Sequence, residues 1–200
     1  MSLRVSSDPY GYKKLLVYSK AEELQRACAA FTAGFPRQKT LVALADQMDR
    51  SARSVKQNIV EGWKRNSTRE YYDFLGFSIG ANAELEEDCD DIIKGIYPSL
   101  RGEMGEKGWT LERVQKEPFY PLDARLPPLI QLKLRGKELN FLLTKLQDSL
   151  EGKMSAEHGL SLADKLNRAA RTEHERDEWL RKEREKWEEK GEKGKMGERG

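Results

Sequence analysis

Residues 47–85 read QMDRSARSVKQNIVEGWKRNSTREYYDFLGFSIGANAEL, with apolar side chains every three or four positions on both sides of one interruption at 62–67. That period fits an α-helix and excludes a strand, whose faces alternate at every second residue. The stretch therefore reads as two amphipathic helices joined by a basic turn. The same step recurs upstream in Val17, Ala21, Leu24, Cys28 and Phe31, a run ended by Gly34 and Pro36. The second run comprises Leu41, Ala45, Met48, Ala52, Val55, Ile59 and Gly62. The third comprises Tyr71, Leu75, Ser78, Asn82, Leu85, Cys89, Ile92 and Ile96, with Ser67 as its N-cap and Glu70 completing a capping box. A fourth opens near Pro128 and carries Leu132, Gly136, Leu139, Leu143, Leu146 and Leu150.

Four stripes of this kind can be hidden only against one another. The expected fold is all-α: an antiparallel up-down-up-down four-helix bundle over 1–152, with helices at about 12–33, 38–62, 67–96 and 128–151, and a charged helical or disordered extension over 153–200. Between the third and fourth helices, residues 97–127 are rich in Gly and Pro and form a long insertion, which Trp109, Phe119 and Tyr120 are placed to pin down. Leu134, Phe141 and Leu142 form a second apolar line on the fourth helix, and Leu15, Leu16 and Tyr18 add to the first. This surplus points either to self-association or to a wide core-facing side.

Residues 151–200 hold 13 basic and 13 acidic residues in alternation, with Asp177/Arg181 and Glu178/Lys182 as i,i+4 pairs and Leu162, Leu166, Trp179 and Trp187 as sparse apolar points. A solvated helix fraying toward GEKGKMGERG is expected there. No run reaches the roughly 20 apolar residues of a membrane span, and no secretory leader is visible, so a cytoplasmic protein is expected. Cys28 and Cys89 fall on apolar stripes and are expected to be buried, reduced thiols.

Net charge is +2, but 1–66 carry 12 basic against 6 acidic residues while 67–99 carry 2 against 8. The two halves suit solvated helix faces, steering of a polyanion, or head-to-tail contact between copies. Catalytic chemistry finds little support. His158 and His174 sit in the charged tail, Glu84, Glu86, Glu87, Asp88, Asp90 and Asp91 scatter around a helix without a metal-loop rhythm, and phosphate-loop, nucleophile-elbow and HExxH motifs are missing. No catalytic residue, metal ligand or cofactor is expected.

The cations are more informative. Arg50, Arg53 and Lys56 project from the polar side of the second helix, Lys64 and Arg65 carry the charge into the turn, and Lys13, Lys14, Lys20, Arg37 and Lys39 add to the same half. Such residues suit phosphate contacts of weak sequence preference and strong salt dependence. Trp63 is placed either as a lid on the core or as a stacking surface for an unpaired base. Asn58, Glu61 and Asn82 lie in or beside the buried stripes and are expected to hydrogen-bond across helices two and three, specifying the fold.

NIVEG at 58–62, then Arg65, Ser67, Glu70-Tyr71, Phe74-Leu75 and Glu84-Leu85, together with upstream QMDRSARSV and KKLLVYSKAEEL, resemble the four-helix-bundle proteins of 23S ribosomal RNA intervening sequences. These include the accessory variability proteins of diversity-generating retroelements. The likeness implies a homopentamer of bundles with a basic surface that binds RNA or DNA and, in the retroelement case, docks on a reverse transcriptase. It transfers no active site. Arg50, Arg53, Lys64 and Arg65 carry over as candidate contacts only.

Overall fold

The computed structural model describes residues 8–100 and 108–158, with isolated helical positions between 164 and 182. Four long helices make up the body: α1 Leu16–Thr32, α2 Lys39–Trp63, α3 Thr68–Lys94 and α5 Pro128–His158, with a short α4, Leu111–Lys116, inside the insertion. No strand occurs among the described residues. Helix α2 packs most extensively on α3, and α3 on α5; α1 touches both α2 and α5, so the four long helices close around one interior.

Cross-helix partners rise along one helix as they fall along its neighbour. Between α2 and α3, Ser78 Oγ donates to Val55 O (3.0 Å) and Ser51 Oγ to Glu84 Oε2 (3.2 Å). Between α3 and α5, Asn82 Nδ2 donates to Gly136 O (2.9 Å) and Gln147 Nε2 to Tyr72 O (3.0 Å). Met48, Val55, Leu75 and Leu139 are all fully buried, so the stripes meet as their spacing requires. At roughly 25 cal/mol per Å² of apolar surface, this shared interior is the main driving term of the fold.

The helix boundaries have local causes. Ser67 Oγ accepts from Glu70 N (3.1 Å) and donates to Glu70 Oε2 (2.8 Å), fixing the start of α3. Gly95, at φ 79°, ends α3, since a left-handed residue there costs glycine nothing. Ile96 thus lies beyond the helix and is exposed, not on its stripe as the spacing predicted. Helix α1 starts at Leu16 rather than near 12, because Gly11–Lys14 form a separate 3-10 turn and Leu15 is extended. In α2 the buried position is Leu44, with Ala45 only half-buried. Helix α5 runs seven residues past its expected end.

Leu134 is not surplus apolar surface. It packs with Ile130 and Val114 in a second cluster completed by Trp109, Phe119, Leu122, Leu126 and Ile93. The insertion therefore covers the second face of α5, which explains why α5 is buried nearly all round from Leu129 to Leu139. Thr110 caps α4 by accepting from Arg113 N (3.3 Å), and Lys137 Nζ donates to Val114 O (3.2 Å) and Gln115 O (3.4 Å) at its other end. Tyr120, in contrast to Trp109 and Phe119, is exposed and pins nothing. Leu15 and Tyr18 pack on the main core, whereas Leu16 and Phe141 are exposed.

The described positions between 164 and 182 are helical and exposed, with His174 Nε2 3.9 Å from Glu178 Oε1. Leu162, Leu166, Trp179, Trp187 and the GEKGKMGERG end lie outside the described residues. No helix among the described residues is long and apolar enough to cross a membrane.

Candidate nucleic-acid interface

At 100° per residue, Lys39, Arg50, Arg53 and Lys64 fall on the side of α2 opposite Met48, Ala52, Val55 and Ile59. All four are exposed. Arg50 reaches Asp46 at 2.7 Å, an exposed i,i+4 pair of the kind worth little in water. Arg37, Lys39, Arg53 and Arg65 make no ion pair with any described residue, and they form the open cationic part of the surface. Lys56 is half-buried on the flank toward α1, one heptad after Asp49. The ten predicted cations do not form one patch, because α2 is 25 residues long and so separates Arg37 and Lys39 from Lys64 and Arg65 by about 35 Å.

Two expected contacts already pair with carboxylates of the chain. Lys20 pairs with Glu138 (3.2 Å) and Glu23 (3.5 Å), and Glu23 also takes Arg135 (3.3 Å), so Lys20 ties α1 to α5 instead of facing a ligand. Lys14 lies 2.9 Å from Asp8, and this hydrogen bond holds the Asp8 carboxyl below its usual range.

One end of the bundle combines cations and rings. Lys64 Nζ donates to Pro9 O and sits 4.7 Å from the Tyr10 ring centroid and 5.8 Å from that of Tyr12. Lys13 Nζ is 5.5 Å from the Tyr10 ring, Arg65 lies over Phe74 at 4.4 Å, and Arg69 over Tyr72 at 5.5 Å. Sequence reasoning missed Tyr10, Tyr12 and Arg69. The Asp8-Pro9-Tyr10-Gly11 turn signature was the available signal for the first two. Trp63 proves to be an anchor: its Nε1 donates to Asp8 O (3.1 Å) and its ring packs against Gly11 and edge-on to Tyr71.

The polar residues of the stripes bond differently from expectation. Asn82 is fully buried but reaches Gly136 O on α5 and Glu86 Oε1 (3.1 Å) on its own helix, not α2. Asn58 is half-buried and donates within α2 to Ser54 Oγ (3.4 Å), and Glu61 is exposed. Ser78 and Ser51 make the α2–α3 links instead, since their short side chains fit where the helices approach.

The acidic cluster also divides. Glu84 and Glu87 are exposed, whereas Glu86 and Asp90 turn inward onto buried Lys133, at 3.2 and 3.0 Å. Asp90 Oδ1 is within charge-pair range of the ammonium without an aligned hydrogen bond. Burial raises the Glu86 carboxyl despite Lys133; at Lys133 burial opposes the charge, but Asp90 and Glu86 outweigh it and the ammonium is held. Burial pushes up both thiols, Cys28 and Cys89, which removes them as nucleophiles at neutral pH. Among the described residues no group of three or more His, Cys, Asp or Glu is arranged to hold a metal ion.

No curated protein matches the chain. A family model does, the one described as 23S rRNA-intervening sequence protein, over residues 13–94. The matched region begins in the 3-10 turn and ends at the last residue of α3, so it takes in the whole cationic face of α2 and its basic turn. The likeness to the 23S rRNA-intervening sequence protein family thus covers residues 13–94 of the 200 in the chain.

Proposed function

We propose that this chain is a non-enzymatic, oligomeric scaffold that binds nucleic acid, RNA first and DNA second, on an antiparallel up-down-up-down bundle. The preferred setting is as accessory to a reverse transcriptase in a diversity-generating retroelement, with a ribosomal intervening-sequence protein as the close alternative. One observation carries it: Lys39, Arg53 and Arg65 stand exposed, without an ion pair to any described residue, along α2 and its turn. Cations left open to water on one face cost the fold nothing and raise the local potential for a polyanion. The match to the intervening-sequence family model over 13–94 supports the same reading.

The test is RNA binding by the full chain across a salt series, for the native protein and for Arg50→Glu/Arg53→Glu/Arg65→Glu. Each lost phosphate contact should reduce the slope of log K against log salt by about 0.7 for single strands. The triple variant should therefore bind more weakly and with a shallower slope by about 2. Affinity that is absent in the native chain, or unmoved by the triple change, overturns the proposal. A protein-interaction module without nucleic-acid binding is the second reading, favoured by exposed Val42, Phe77 and Phe141. It predicts no RNA affinity at any salt and loss of partner capture when 159–200 are removed.

A further inference from the structure

Tyr10 is held in an unusual way for an exposed aromatic. The turn beneath it is bolted to the C-terminus of α2, where Trp63 Nε1 donates to Asp8 O and Lys64 Nζ to Pro9 O, and is closed on itself by the Lys14–Asp8 pair. Tyr10 N donates to Asp8 Oδ1 (2.9 Å) and Lys13 N to Tyr10 O (3.0 Å), so the backbone on both sides of the ring is fixed. Gly11 is required by the same anchorage, since a Cβ there would come 2.6 Å from Trp63 Cζ2. None of these bonds buries the ring, which stays 60% exposed. The ammoniums of Lys13 and Lys64 lie within 6 Å of its centroid. Among the described residues, the Asp8 carboxylate beside it is paired with Lys14, and α1, which follows directly, has no acidic residue in its first turn.

We infer that Tyr10 is a stacking platform for an unpaired nucleotide, with Lys13 and Lys64 taking its phosphate, so that this end of the bundle receives a single-stranded segment. The inference rests on the nucleic-acid reading above and narrows its ligand. The chemistry is that of single-strand sites generally, an aromatic face beside cations on a preorganised backbone. A lysine over an exposed ring is a weaker contact than a base stacked on it. The Lys13 ammonium can therefore yield the ring face to a base and move to the phosphate, while Lys64, still held by Pro9 O, has further N–H donors to offer it. Trp63 cannot serve in this role, because its indole is already committed to Asp8, Gly11 and Tyr71.

The experiment compares a short single-stranded oligouridylate with a blunt RNA duplex of the same length, at equal salt, on the native chain, Tyr10→Ala and Tyr10→Phe. Tyr10→Ala should weaken single-strand binding by about 5- to 100-fold while leaving duplex binding unchanged, and Tyr10→Phe should bind both as the native chain does. Tyr10→Ala binding the single strand as the native chain does, or losing both probes equally, overturns the platform and leaves the scaffold proposal standing. A native chain that binds neither probe removes both.

Discussion

Gly62 sits where α2 leaves the core for the basic turn, and the place of its missing side chain is already occupied. A Cβ there would fall 2.7 Å from Phe74 Cβ and 2.7 Å from Tyr71 Cδ2, both on α3. Gly62→Ala should therefore lower stability by about 1–3 kcal/mol, seen as a lower urea midpoint with unchanged slope. Gly80 is the internal control: it is exposed in mid-α3 with nothing near its Cβ position, and Gly80→Ala should raise stability by about 1 kcal/mol. Asp88 gives a pH-dependent case. Its Oδ2 is buried without a hydrogen-bond partner, and burial first, then Asp91 and Glu84, raise its carboxyl from 3.8 to about 6. A folded-state value above the unfolded one means that its stabilising contribution is full below 3.8 and lost as pH rises through about 6. Asp88→Asn should accordingly raise stability at pH 8 by about 1 kcal/mol once solvent screening is allowed for, and leave it unchanged near pH 3, as denaturant melts at the two pH values would read.

Between elements, the contact that most needs its exact partners is α3 on α5. Glu86, Asp90 and Asn82 on α3 meet Lys133 and the Gly136 carbonyl on α5, and Lys133 Nζ also donates to Glu86 O (3.0 Å). Gly136 permits the approach, since a Cβ would come 2.9 Å from Glu86 Cγ. Removing the cation alone leaves two carboxylates in a dry seam. Lys133→Met should cost about 3–5 kcal/mol, whereas Lys133→Met combined with Glu86→Met and Asp90→Leu should recover most of it, because an apolar seam carries no desolvation cost. Denaturant melts of the single and triple variants measure both values, and equal losses would refute the ion-network account.

For the whole molecule, the sign of the surface charge changes from one helix to the next. Arg50 and Arg53 are exposed on α2, while Glu84, Glu87 and Phe77, which is 59% exposed, are exposed on α3. A basic face and an acidic face on adjacent helices, each with an exposed apolar residue, suit head-to-tail contact between copies. On the proposed reading the chain should sediment as a multiple of 23.0 kDa, and Phe77→Asp should shift it toward that monomer mass. Native protein sedimenting at 23.0 kDa across the micromolar range would rule out the oligomer.

The number of long helices and the inward face of each were written in the sequence, because a 3.6-residue period is a local property and burial of Met48, Val55, Leu75 and Leu139 follows from it. The capping of α3 by Ser67 was equally local. What needed tertiary structure was every question of which partner a group meets. Whether Glu86 and Asp90 are solvated or paired depends on Lys133, 47 residues from Glu86, and whether Leu134 is surplus or core depends on Val114 in the insertion. The same holds for the site: the cations of α2 were visible one by one, yet only the fold withdrew Lys20 into a bridge to α5 and set Tyr10 beside Lys64 across 54 residues. Periodicity records what one helix does with water, while pairing energies arise only when distant segments bring opposite charges or apolar faces together.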